Sequence, residues 1–150
     1  MYVELIFRFI AYAMFGLTME MVFSVHGINL ALGCSPPRRV PFKYLEGFVS
    51  LYMIPLHGFG ILFGLEWVRL VIADLHFGFR FAIYALIFTS AEILWGWFLD
   101  KTIGFFPWDY YAKSKYRISK AGYSLWTLVP LWGVAGMLVE QYIDLVVYLS

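Results

Sequence analysis

The stretch FRFAIYALIFTSAEILWGWFLDKTI, residues 79–103, decides the fold. As a helix it is long enough to cross a hydrocarbon layer, which takes about 20 apolar residues. Yet it carries Glu92 near its middle. A charge at bilayer depth is costly, so such a residue faces other helices rather than lipid and often marks a function. Three more segments repeat the pattern. Residues 5–32, 45–72 and 125–149 are apolar runs interrupted in mid-span by Glu20, His57 and Glu140. The chain therefore reads as all-α, an integral membrane bundle of four transmembrane helices forming one domain over residues 1–150.

Composition supports the same class. The chain is 62% hydrophobic and 14% charged, with a mean hydropathy of +0.75. Soluble domains run at about 45–50% apolar and about 25% charged. Four spans and their connections use up 150 residues, leaving no room for a separate soluble domain. A net charge of +1 gives no basic field to neutralise phosphates and argues against a nucleic-acid partner. The single cysteine, Cys34, excludes an internal disulfide and a cysteine-only metal site. The first segment is expected to be a retained span. Glu4 offsets Arg8 in its leading region, and its apolar run exceeds the core of a signal peptide, about 7–15 residues.

The connections carry their own signals. Pro36, Pro37 and Pro41 end the first span, since proline cannot continue a helix. In the second, Pro55 followed by Gly58, Gly60 and Gly64 predicts a kink, and Gly60 with Gly64 forms a GxxxG spacing suited to close helix packing. Between the last two spans, Gly104-Phe105-Phe106-Pro107-Trp108-Asp109-Tyr110-Tyr111 precedes Lys113, Lys115, Arg117 and Lys120. Aromatics with a basic flank are expected at a membrane interface. Trp108, Asp109 and Tyr110 then form an interfacial loop, and Arg38, Arg39, Lys113, Lys115 and Arg117 are candidates for holding lipid headgroups. Eight cations lie on one side (Arg38, Arg39, Lys43, Lys101, Lys113, Lys115, Arg117, Lys120) and three on the other (Arg8, Arg69, Arg80). By the positive-inside rule, loops 33–44 and 104–120 are expected in the cytoplasm, with the protein in a bacterial inner membrane.

Helical spacing aligns small and ionisable residues, because positions three, four, seven and eleven apart share a face. Gly16, Glu20, Ser24 and Gly27 align in the first span. Thr89, Glu92, Gly96 and Asp100 align in the third, and Gly133, Gly136, Glu140 and Asp144 in the fourth. Glu20, His57, Glu92 and Glu140 are the candidate intramembrane polar or binding residues. Converging carboxylates would offer proton-relay or cation-site chemistry; otherwise each would bond to a neighbouring helix and hold the bundle together. His26, His57 and His76 make no closely spaced pair, and no Glu-x-x-His, GxSxG, P-loop or HExxH pattern occurs. No catalytic residue, metal site or cofactor is expected.

The run Ala91-Glu92-Ile93-Leu94-Trp95-Gly96-Trp97-Phe98-Leu99, then Pro107-Trp108-Asp109-Tyr110, Val129-Pro130 and Glu140-Gln141-Tyr142-Ile143, resembles the CmpB-like membrane proteins. That group is also labelled ABC-transporter type IV and includes the small vertebrate transmembrane protein 229. The resemblance extends through Gly16 to Glu20 and Ser50 to Gly58, and it implies a small polytopic helical protein with a transport label. The leading expectation is a non-enzymatic accessory or binding subunit of a membrane assembly. Its partners would be membrane lipids and either other membrane subunits or further copies of itself. The alternatives are a transporter component with a proton or cation path, and an interfacial lipid-modifying enzyme using Asp109 or His57.

Overall fold

The structure is a computed structural model and describes residues 2–33 and 41–150. Cys34, Pro36, Pro37, Arg38 and Arg39 lie outside the described residues, and with them part of the headgroup reading. Four helices are long and apolar enough to cross a membrane: Tyr2–His26, Leu51–Ile72, Phe77–Ile103 and Trp126–Leu149, here spans 1 to 4. The protein is an integral membrane protein of four transmembrane helices. No more than a third of the most apolar stretch of any span is buried within the protein. Side chains such as Ile10, Phe63, Leu86 and Leu145 point outward, where lipid rather than water is the solvent.

The start of span 1, residues 73–76 and the end of span 4 lie at one end of the bundle, the termini end; the long connection between spans 3 and 4 closes the other, the lid end. Spans 1 and 2 pack most closely on each other, as do spans 3 and 4, so the bundle is two helical hairpins set side by side. Glycines bring the partners together within each hairpin. Gly16 faces the His57 ring, Gly58 faces Phe9, and Gly133 and Gly136 face Phe81 and Tyr84. Gly64, by contrast, has open space where a Cβ would sit, and Gly60 meets only Leu56 of its own span. Among the described residues, the GxxxG pair therefore packs against no neighbouring helix.

Span 2 is irregular for a reason other than the expected one. Pro55 sits in the first turn of the helix Ile54–Phe59, where its missing N–H costs nothing. The break comes one turn later, where Gly60–Leu65 widens into a π-helix before α-helix resumes at Glu66–Ile72. Residues 45–50 precede this span in non-helical form, with Leu45 at a φ of 52°. Ser50 caps the first turn, its hydroxyl accepting from the Tyr52 N–H.

The segment 104–125 is a folded lid rather than a surface belt of aromatics. Phe106, Trp108, Tyr111, Leu125 and Leu128 are buried with Ile28, Leu32, Met53 and Leu99 in a core at this end. The chain reverses on itself, with Ile118 N–H donating to Ser124 O and Trp126 N–H to Tyr116 O, both 2.9 Å. Gly122 makes the turn at a φ of 75°, where any Cβ would collide with the backbone of Tyr111 and Ala112. Two hydroxyls tie the lid side to the short helix Ile28–Leu32. Ser114 donates to Leu32 O at 2.9 Å and Thr127 to Ala31 O at 2.6 Å, satisfying carbonyls that a helix end leaves open.

Candidate functional site

Between the lid core and a second core around Tyr12, Leu65, Tyr84 and Ile143 lies a cavity of about 540 Å³. All four spans and the lid line it. Gly16, Glu20, Ser24 and Gly27 all face it, so the small and polar stripe read from span 1 forms one of its walls. His26 of span 1, Ser50 before span 2, His57 of span 2 and Glu92 of span 3 also line it; Trp108, Tyr110 and Tyr111 come from the lid, and Trp132 from span 4.

Glu20 and His57 form the first polar pair, with Nε2 of His57 2.9 Å from Glu20 Oε1. Gly16, one turn before Glu20, leaves the space that the imidazole occupies. Both side chains are about four-fifths buried. Glu92 is more deeply placed, at 7% exposure. The Ser124 hydroxyl donates to its Oε2 at 2.5 Å and the Trp132 indole N–H to the same oxygen at 3.0 Å. Both donors use the same oxygen, so neither engages Oε1. Gly96, one turn further on, admits Trp108, whose indole donates to Tyr123 O at 2.8 Å. The face Glu92, Gly96, Asp100 is thus covered by the lid, and Asp100 accepts from the Tyr123 hydroxyl at 2.8 Å. Burial, the larger cause, and the nearby carboxylates push the Tyr110 and Tyr111 phenols well above their ordinary value. They stay neutral O–H groups.

Glu140 does not join this site. Its carboxylate turns toward the termini end, where the Arg80 guanidinium holds both oxygens, one of them at 3.2 Å from Nε. Asp144, one turn on, pairs with Arg69. Arg8 reaches Glu66 at 3.3 Å, and the Tyr12 hydroxyl donates to the same carboxylate at 2.5 Å. The three arginines that stood alone in the charge count are therefore each neutralised by a carboxylate on another span. Spans 1 with 2, 2 with 4, and 3 with 4 are bridged in this way at the termini end. Mutual compensation of this kind is what makes buried charge tolerable.

Three of the four mid-span residues thus meet at one cavity, and the fourth belongs to a structural ion-pair layer. Trp108 and Tyr110 fall in the cavity wall, whereas Asp109 is exposed outside it. Lys113, Lys115 and Arg117 are exposed on the lid and do not line the cavity. Lys115 lies over the Tyr116 ring at 4.9 Å, and Arg117 donates to Ala112 O at 2.5 Å. Sequence reasoning missed Ser124, Trp132 and Tyr111. Trp132 lies one residue before Gly133, off the small-residue face, and Ser124 acts only because the lid folds inward.

Neither the comparison with curated proteins nor that with solved structures found a match. The model of one protein family matches residues 7–149, nearly the whole chain and all four spans. This match agrees with the resemblance carried by the Glu92 and Pro107 segments, and the chain belongs to the family described as "Putative ABC-transporter type IV".

Proposed function

We propose that this protein is a non-enzymatic membrane subunit that binds a small amphiphilic ligand inside the bilayer. The observation that carries this reading is the cavity, whose volume of about 540 Å³ falls in the range of small-molecule sites, about 300–1,000 Å³. Its walls are mostly apolar, with a few convergent polar groups in Glu20, His57, Glu92 and Tyr110. That is the make-up of a binding site rather than of a packed core, which leaves few voids larger than a water molecule. Ligand capture fits an accessory role within a transport assembly, in keeping with the family description.

A second reading, a transporter component, is favoured by span 2. Its π-helical turn lies just beyond His57, and such turns gather at functional sites because they loosen the ladder of backbone hydrogen bonds. Movement of span 2 at that turn would part His57 from Glu20. Orientation with the lid in the cytoplasm belongs to both readings and is supported by the cation count.

Native mass spectrometry of the protein released from its own membrane tests the binding reading. Wild-type protein is expected to retain a small ligand. Ala135→Trp, which fills the cavity from span 4, is expected to release the ligand while the protein stays folded. Identical spectra for the two proteins would refute the proposal.

A further inference from the structure

The cavity has an entrance and a chemical preference. Near the termini end, spans 1 and 4 are closed on each other. Tyr142 stacks on Phe15 with ring centroids 4.2 Å apart, and its hydroxyl donates to Ala11 O at 3.4 Å. Toward the lid end the same two spans line opposite sides of the cavity, and several lining residues are also exposed. Val22 of span 1 is 51% exposed, and Val134 and Leu138 of span 4 are 49% and 47%. Apolar residues of these spans that both line the cavity and face outward mark an opening to the hydrocarbon. The opposite seam is tied shut, with the Trp95 indole donating to Tyr52 O at 3.1 Å and Phe105 packed on the Tyr52 ring.

Among the described residues, and apart from the neutral phenols of Tyr110 and Tyr111, the ionisable groups that line the cavity are two carboxylates and two histidines, and one of the histidines, His57, is taken up by Glu20. Glu20 and Glu92 both face the cavity, and Glu92 is nine-tenths buried with its two neutral donors, Ser124 and Trp132, both on Oε2. No lysine or arginine is among the residues that line it. The arginines within the spans are committed to Glu66, Asp144 and Glu140 at the termini end. The remaining wall mixes aliphatic side chains with aromatic rings, among them Phe15, Phe23, Phe88, Trp108, Tyr110 and Trp132. Carboxylates surrounded by aromatic faces favour a cation, which gains from the ring quadrupoles as well as from the opposite charge. A phosphate or carboxylate headgroup would find neither lysine nor arginine among the lining residues, and His57 already faces Glu20.

We infer that the cavity takes a lipophilic cation, an amine or quaternary onium group carried on an apolar body, which enters from the bilayer between spans 1 and 4. This rests on the binding reading above and names its ligand class. Such a guest replaces the missing counter-charge for Glu92 and fills the apolar space with its body.

The test is binding of radiolabelled tetraphenylphosphonium to the wild-type protein in lipid nanodiscs, with empty nanodiscs subtracted and equimolar tetraphenylborate as the anion of matched shape. Saturable binding of the cation, with the anion failing to compete, is expected. Glu20→Gln and Glu92→Gln are each expected to weaken binding by about tenfold. Val134→Trp, which narrows the opening, is expected to slow association by several-fold. Binding of cation and anion alike would overturn the charge argument without any variant being needed. An unchanged association rate in Val134→Trp would overturn the entrance. If the cation fails to bind while Ala135→Trp still releases a co-purified ligand, the ligand class falls and the binding reading stands. If Ala135→Trp releases nothing either, both fall.

Discussion

Gly16→Ala is the substitution on which the site's packing can be weighed. A Cβ at this position would lie under 3.0 Å from three atoms of the His57 ring, closer than real Cβ atoms approach. The ring cannot retreat freely, because its Nε2 is held 2.9 Å from Glu20. Forcing extra volume into a packed site costs about 1–3 kcal/mol. Displacing the ring also forfeits a hydrogen bond involving a charged group, worth about 1.5–3 kcal/mol. The sum is about 2.5–6 kcal/mol. In a His57→Ala background the collision disappears, and Gly→Ala within a helix then stabilises by up to about 1 kcal/mol. The sign of the effect should reverse between the two backgrounds, with a coupling of about 2.5–7 kcal/mol. Reversible unfolding in bicelles, read as a double-mutant cycle, measures it. An equal cost for Gly16→Ala in both backgrounds would show that the ring does not occupy the space beside Gly16, and the argument for the Glu20–His57 wall would fail with it.

Two further predictions address the ends of the bundle. Arg80→Met and Glu140→Leu alone each strand a charge at the termini end and should cost about 3–5 kcal/mol, while the double variant should lose much less, as measured by the same unfolding assay. At the lid end, the phenols of Tyr110 and Tyr111 have folded-state values raised above the ordinary 10.0. Their contribution to stability is therefore complete below about pH 10 and is lost as the pH rises toward the folded values. Protease sensitivity of residues 104–125 should increase above about pH 10, and Tyr110→Phe with Tyr111→Phe should blunt the increase.

Much of the architecture was legible in the chain. Length and hydropathy place four spans, and the three-, four- and seven-residue spacings bring Gly16, Glu20, Ser24 and Gly27 onto one face of a helix whatever surrounds it. Hence the span 1 stripe read from spacing is the stripe that lines the cavity. Glycine positions indicated close approach correctly at Gly16, Gly133 and Gly136. They misled at Gly60 and Gly64, because spacing says nothing about whether a neighbour is present. The Pro55 kink was misplaced for a related reason: proline strains a helix only beyond its first turn, and the start of the helix is decided by the Ser50 cap and the chain before it.

What the chain could not express was rotation and depth. Glu92 and Glu140 carry the same small-residue pattern, yet one faces the cavity and the other an arginine. The difference lies in which helix stands opposite and at what height along the bundle. Arg80 is near the start of span 3, and antiparallel packing sets it beside the later half of span 4, where Glu140 sits. The lid was equally hidden. Phe106, Trp108 and Tyr111 have the composition of an interfacial belt, and the sequence determines only that they are amphipathic and follow a helix end. Burying them required Gly96 to leave room on span 3, Gly122 to reverse the chain, and Ser114 and Thr127 to satisfy the carbonyls of Ala31 and Leu32. Local spacing determines which side chains share a face of a helix, since that follows from backbone geometry alone. Only the tertiary structure decides what each face meets, because that depends on groups brought together from distant parts of the chain.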